Sequence, residues 1–465
     1  MEYLDIEGGS PLKGSIRVQG AKNAITKLLV ASLVSDKRCV FKNVPDIGDV
    51  EVTVALCQEI GSEVNWDKKN KTIEIITKEL STAYVPQRFS GGNRIPILMI
   101  GALLGRTTED IIVPTVGGCN IGKRKVDYHI LALQKLGATI EYRHMKQQGA
   151  YFAQAHNGLQ GAVIELPYPS VGATENTILA ALRANGKTVI KNAAIEPEII
   201  DLVLFLQKMG ANISIEGHRT ICIEKTCVFY EVEHTVIGDR IEAASFAMAA
   251  LATKGHIFVE GIVQNHMLSF LNQFRKVGGG FQVKDEGIEF FYQSDSGKIH
   301  LETDVYPGFT TDWQQPYAVV LTQIQGTSII HETVYEKRFG YIKTLKEMGA
   351  NIELFTSCLG NKPCRFKDQS YEHSCVIHGK TVLHGKEIHI PDLRAGFAYV
   401  LAALVAKGKS KIYNLHYLDR GYDHVVQKLQ TLGANVARSE AQNKESIKPL
   451  EKELIETNSY QEIRT

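Results

Sequence analysis

The chain has 465 residues, too many for one ordinary hydrophobic core, so two or more domains are expected. A formal net charge of +1, with 22% charged and 44% hydrophobic residues, supplies no global field for nucleic acid or an anionic membrane. The N-terminus has no basic-then-apolar leader, and the longest apolar stretch, near residues 95–104, falls short of the about 20 residues that span a bilayer, so a soluble cytoplasmic protein is expected.

In chain order, a β-rich start (LDIEGGSPLKGSIRV) runs up to a first Ala- and Leu-rich helix, KNAITKLLVASLV. Comparable helices follow: NRIPILMIGALLG, TENTILAALRANG, DRIEAASFAMAALATKG, TDWQQPYAVVLTQIQG and DLRAGFAYVLAALVAKG. They are apolar nearly all round, which predicts burial. Each leads into a short β-like run such as RCVFKNV or HIFVEG. A second, amphipathic helix then ends in a glycine turn and another strand: CQEIGSEV, LQKLGATI, LQKMGANI, FRKVGGGF, LKEMGANI and LQTLGANV. The glycines, Gly61, Gly137, Gly210, Gly278, Gly349 and Gly433, suit the left-handed residue that stops a helix. Six copies at intervals of roughly 70 to 85 residues mark an internal repeat. The expected class is α/β, with α+β repeats, helices inside and sheets outside, three units to a domain.

The 8 cysteines form no CxxC pair; Cys222 with Cys227 and Cys358 with Cys364 have the wrong spacing. No zinc or disulfide framework is expected, and most of the thiols read as reduced, buried and inert, with Cys119 an exception.

Unusual polar residues recur at two equivalent places. At the buried helix start stand Lys22 and Asn23, Arg94, Thr174, Asp239 and Arg240, Asp312, and Asp392 with Arg394. In the loop before the amphipathic helix stand Asp49, Cys119 with Arg124, Glu196 with Glu198, Arg338 and Arg420. Capping explains the Asp residues, but a cation at a helix start opposes the dipole. Lys22, Arg94, Arg240 and Arg394 all break that rule, and an anion between them and the helix amides would remove the conflict. A small, multiply anionic ligand is therefore expected between two domains. The glycine-rich loop 116–125 reads as a mobile lid, in which Lys123, Arg124 and Lys125 should favour the Cys119 thiolate.

These motifs carry a resemblance. GAKNA, GGCNIGKRKVDYH, SVGATEN, NAAIEPEIID, DRIEAASF, FTTDWQ, YEKRF, PDLRA and LDRGYD are similar to those of the UDP-N-acetylglucosamine enolpyruvyl transferase family, over nearly the whole chain. The resemblance implies a two-domain inside-out α/β barrel, each domain three βαβαββ-type units about a pseudo-threefold axis. It implies domains of residues 21–236, with the Cys lid at about 115–125, and of residues 1–20 with 237–438. A polar tail, 439–465, is expected to be disordered. The implied reaction moves the enolpyruvyl group of phosphoenolpyruvate to the sugar 3-hydroxyl by addition and elimination, releasing phosphate, as the first committed step of peptidoglycan precursor synthesis.

Lys22, Arg124 and Arg420 are implied to hold phosphoenolpyruvate, and Cys119, Asp312, Lys22 and Arg394 to serve catalysis. Asp312 would take the hydroxyl proton; Cys119 would donate a proton to C3 or act in product release. Asn23, Arg94, Asp312 and Val334 are assigned to the UDP-sugar. So are the run Arg124, Lys125, Val126, Asp127 and Tyr128, and the run Ser170, Val171 and Gly172. Asp49, Glu196, Glu198, Asp239, Arg338 and Asp392 would support the site. No metal or organic cofactor is implied. The expected partners are the two substrates, with no nucleic acid and no membrane, in a monomer or weak homo-oligomer. A Cys in the lid further implies alkylation by the epoxide fosfomycin.

Some positions depart from the family pattern: Lys125 stands for a Pro, Tyr168-Pro169 for a segment that commonly has a Lys, and Ile195 for an Arg; the run around Arg94 also differs. They lie mostly on the nucleotide side, so a paralogue with a different nucleotide or sugar acceptor is an alternative, as is a non-catalytic UDP-sugar-binding regulator. The Asp-Lys-Ser and Gly-Asn-Ala-Gly-Thr motifs of 5-enolpyruvylshikimate-3-phosphate synthase are missing.

Overall fold

The computed structural model describes residues 2–117, 126–145, 148–295, 297–367 and 369–440. The apolar helices occupy its interior. They are Lys22–Ala31, Leu98–Leu103, Val171–Ala181, Arg240–Ala252, Thr311–Thr322 and Leu393–Val405. In Arg240–Ala252 every residue from Arg240 to Leu251 is buried, as continuous Ala, Phe and Met content requires. Arg240–Ala252, Thr311–Thr322 and Leu393–Val405 pack on one another, and Leu98–Leu103 packs on Lys22–Ala31 and Val171–Ala181.

All six repeat glycines are left-handed, with φ from 84° at Gly278 to 116° at Gly61. At Gly61 the backbone N–H returns to Cys57 and Gln58 of the helix Gly48–Ile60, closing its last turn. The chain then enters a hairpin, here Glu63–Asp67 with Thr72–Ile76.

Six small sheets lie outside the helices. In each, the strand after the buried helix pairs antiparallel with the hairpin and parallel with an edge strand. Lys187–Lys191, for instance, lies between Thr220–Glu224 and the parallel Val163–Glu165. In the three-stranded sheet a single parallel bridge, Tyr84 to Ile112, stands in for the edge strand. The edge strands come from afar. Val232–Thr235 pairs with Cys39–Lys42, and Lys13–Arg17 with His256–Glu260. In the sheet of Lys409–Tyr413 the two ends of the chain stand in for the hairpin, Glu2–Glu7 lying between Lys409–Tyr413 and Asn435–Glu440.

This wiring leaves two hydrophobic cores, one from Ala21 to Val236, the other from Leu4 to Val18 joined with Ile241 to Val436. The two crossings lie side by side, Gly20 bridged to Gly238. A Cβ on Gly20 would sit 1.8 Å from the Asn43 carbonyl oxygen, and one on Gly238 1.9 Å from that of Gly261, so both crossings need glycine.

The structure bears on three expectations. Ser439 and Glu440, expected in the tail, continue the last strand opposite Tyr3 and Glu2; residues 441–465 lie outside the described residues. Burial pushes the thiols of Cys39, Cys57 and Cys375 up to about 12, as expected of inert cysteines, but Cys227 is exposed. The third is the absence of a zinc framework. The fold gathers His331, Cys358, Cys364 and His373 with their ligand atoms all within 4.8 Å of one another.

Candidate active site

A cleft of about 670 Å³ is lined by residues of both cores. The starts of all six interior helices reach it: Lys22 and Asn23, Arg94 with Ile95, Ser170 to Gly172, Arg240, Thr311 and Asp312, and Leu393 with Arg394. A helix start leaves its first amides without intrahelical acceptors and carries partial positive charge. Six of them around one space define an anion site.

The cations there are held by carboxylates. Asp49, at the start of Gly48–Ile60, accepts from Lys22 at 2.8 Å and from Arg420 Nε at 2.8 Å. Burial pushes the Asp49 carboxyl up, yet Lys22 and Arg420 outweigh that and hold it below its usual range. Asp312 accepts from Arg338, and Arg394 Nε lies 3.3 Å from its other oxygen. Its side chain is 23% exposed against 6% for Asp49. Asp312 therefore presents a carboxylate to the cleft, whereas Asp49 sits behind the cations it orients.

Deeper, Arg240 meets Glu198 with Nε at 3.0 Å and Nη2 at 3.2 Å. Glu196 lies beside this pair, and burial pushes its carboxyl up to about 7. One of its oxygens and Arg240 Nη1 are buried without a hydrogen-bond partner. Burial likewise raises the Glu175 carboxyl and lowers the Lys27 ammonium. The described lining carries cations and carboxylates in equal number. Its pull on an anion thus comes from helix amides, and from carboxyls that shed charge near neutral pH, rather than from net charge.

Sixteen of the site residues named from sequence line this cleft: Lys22, Asn23, Asp49, Arg94, Asp127, Tyr128, Ser170, Val171, Gly172, Glu196, Glu198, Asp312, Val334, Arg338, Arg394 and Arg420. Three do not. Val126 is buried at 7% exposure and caps the helix Asp127–Lys135 through its backbone. Asp239 and Asp392 cap helices, accepting from Ile241 and Glu242 and from Arg394 and Ala395. Capping, the plainer explanation of a helix-start Asp, applies to both. Cys119, Arg124 and Lys125 lie outside the described residues.

Sequence reasoning passed over Lys27, Glu175 and Arg365 and noted Tyr168 only as a departure from the family pattern, yet all four are in the lining. A charged residue inside an apolar helix was the available signal for Lys27 and Glu175. Arg365 had none. Its guanidinium reaches from the second core to lie 4.1 Å from the Tyr168 ring centroid, beside Ser170, and donates to the Val334 carbonyl.

Two cores of three βαβαββ-type units, with every interior helix start turned to one cleft, are the architecture of an enolpyruvyl transferase. Residues 6–429 match the family model "EPSP synthase (3-phosphoshikimate 1-carboxyvinyltransferase)". A UDP-N-acetylglucosamine 1-carboxyvinyltransferase of Protochlamydia amoebophila is 66% identical over 438 residues, 94% of each chain. One of Chlamydia abortus is 55% identical over 94% of this chain and 98% of its own. The chain belongs to the enolpyruvyl transferase family, among the UDP-N-acetylglucosamine 1-carboxyvinyltransferases. The enolpyruvyl transferase NikO from Streptomyces tendae superposes with a TM-score of 0.81 at 20% identity, covering 95% of this chain and 99% of its own, which shows the shared fold. Among the described residues no helix is long and apolar enough to cross a membrane.

Proposed function

We propose that the chain transfers the enolpyruvyl group of phosphoenolpyruvate to the 3-hydroxyl of UDP-N-acetylglucosamine, releasing phosphate, in peptidoglycan precursor synthesis. The observation that carries this reading is the convergence of six helix starts on one cleft, whose lining holds a half-buried carboxylate, Asp312, and the cations gathered by Asp49.

The sugar O3 bonds to C2 of phosphoenolpyruvate while C3 gains a proton, giving a tetrahedral ketal. The C2–O bond to phosphate then breaks and C3 loses a proton, restoring the enol ether. Asp312 takes the hydroxyl proton. Between Arg338 and Arg394 it stays ionised, so it is a weak base until attack acidifies the hydroxyl. Lys22 and Arg420, with Arg124, bind the carboxylate and phosphate of phosphoenolpyruvate, each charge-assisted contact contributing about 1.5–3 kcal/mol. Arg394 stabilises the charge of the ketal. The helix-start amides at Ser170, Val171 and Gly172 take the diphosphate, and the 124–128 run faces uracil. Asn23, Arg94 and Val334 face the amino sugar. The reading treats residues 21–236, and 1–20 with 237–438, as domains that close about the paired Gly20 and Gly238.

Phosphate release from phosphoenolpyruvate, measured with a panel of UDP-sugars and shikimate 3-phosphate, tests reaction and acceptor together. UDP-N-acetylglucosamine is expected to give the highest kcat/KM. Release with shikimate 3-phosphate alone, or with no acceptor in the panel, overturns the reading.

Cys119 belongs to the same proposal, as proton donor to C3 or as an aid to product release. Fosfomycin is expected to inactivate the enzyme progressively and to leave its adduct on the Cys119 peptide in mass spectrometry. Cys119→Asp is expected to be untouched by the epoxide. Undiminished wild-type turnover after prolonged treatment would count against a reactive lid thiol.

A further inference from the structure

We propose that His331, Cys358, Cys364 and His373 form a structural zinc site that anchors the loop forming one wall of the substrate cleft. The four residues come from the end of the strand Gly326–His331, the loop after Ile352–Phe355, and the residue preceding Ser374–Gly379. Both imidazoles are 0% exposed and both cysteines are half-buried. Two thiolates and two neutral imidazoles match the ligand preference of Zn²⁺, and together they cancel its charge, which suits a buried position. Ligand atoms of a tetrahedral zinc stand roughly 3.3–3.8 Å apart. The 4.8 Å spread here therefore needs about 1 Å of closure, within the reach of side-chain torsions.

The surroundings fit ligands better than core packing. Neither ring nitrogen of the buried His331 has a hydrogen-bond partner, a costly arrangement unless something else takes a lone pair. Packing or a Cys358–Cys364 disulfide would leave that imidazole unsatisfied. His373 Nδ1 lies 2.7 Å from the Tyr371 carbonyl, which can only accept. The proton is thereby placed on Nδ1, and the Nε2 lone pair faces Cys358 Sγ at 3.3 Å. Such an outer contact is what orients a ligating histidine. Glu302 accepts from the amides of Asn361 and Lys362, shaping the chain between the two cysteines, and faces His331 Nδ1 at 3.6 Å.

Binding releases the two thiol protons as two sulfur–zinc bonds form, with no change of oxidation state. Arg365 follows Cys364 directly, so the metal would fix the root of the side chain that crosses the cleft to Tyr168.

Full-length protein purified without chelator is expected to hold about one zinc per chain by plasma mass spectrometry. Cys227→Ser should keep it, and Cys358→Ser/Cys364→Ser should lose it. Because that double variant is free to misfold, wild-type protein supplies an independent reading. After removal of the metal, Co²⁺ should produce thiolate-to-cobalt charge-transfer and tetrahedral d–d bands, and Zn²⁺ should abolish them. Wild-type protein that carries no zinc and gives no tetrahedral cobalt spectrum overturns the proposal. So does zinc retained by the double variant, or a Cys358–Cys364 disulfide found under non-reducing alkylation.

Discussion

Asp312→Asn is expected to lower kcat about 100- to 10,000-fold, the range spanned by loss of a general base. Asparagine keeps the shape and still accepts from Arg338, so the change removes charge and basicity with little disturbance of packing. Asp312 sits in the first turn of Thr311–Thr322, and its carboxylate is bridged by two buried guanidiniums. Those guanidiniums fix its direction and keep it ionised. KM for the UDP-sugar should move by less than about tenfold, because one hydrogen bond contributes on the order of 1 kcal/mol. Steady-state phosphate release read beside a direct binding measurement separates the two effects. A kcat within a few-fold of wild type would remove Asp312 from the chemistry. Weakened binding at unchanged kcat would leave it a sugar-positioning residue only.

The interior of this fold was legible because it repeats. A left-handed glycine after an amphipathic helix is a local requirement, and all six occur where the sequence puts them. The edge strands were not legible. Val163–Glu165 and His300–Glu302 have three residues each, too few for a period, and their parallel partners lie elsewhere in the chain. The helix-start cations were readable as an anomaly, but their counter-ions were not. Asp49 joins Lys22 to Arg420, a residue 371 positions away, and no pattern in sequence announces that pairing. The Cys₂His₂ cluster was missed for the same reason. Its ligands are spread over a strand end, a loop and the start of a second strand, with none of the short spacings of zinc-binding hairpins. Asp239 and Asp392 were legible as helix caps, and as caps they hold the helix starts that carry Arg240 and Arg394.

Arg240→Met is expected to destabilise the protein by about 3–5 kcal/mol, the usual cost of stranding one partner of a buried ion pair. Arg240 and Glu198 are each 4% exposed and belong to opposite sides of the chain crossing at Gly238. The guanidinium also lies over the Trp313 ring, 5.3 Å from its centroid. Burial alone would raise the Glu198 carboxyl, but Arg240 outweighs it and holds the group below its usual range. The sign of the pH dependence follows. In wild type this carboxylate adds stability above the ordinary Glu range, about 4.3, and that share is lost as pH falls through its lower folded value. Without Arg240, burial dominates and the folded carboxyl rises above its unfolded value. Its stabilising share is then present at low pH and lost as pH climbs through the raised value. The gap between wild type and Arg240→Met should therefore be widest near pH 8 and shrink toward pH 5. Adding Glu198→Leu should recover part of the loss at pH 8, since the Glu198 carboxylate is then no longer stranded, while Glu196 beside it still lacks Arg240. Urea midpoints of the three proteins at both pH values check this, and a gap independent of pH would mean that Arg240 acts through its packing on Trp313 instead.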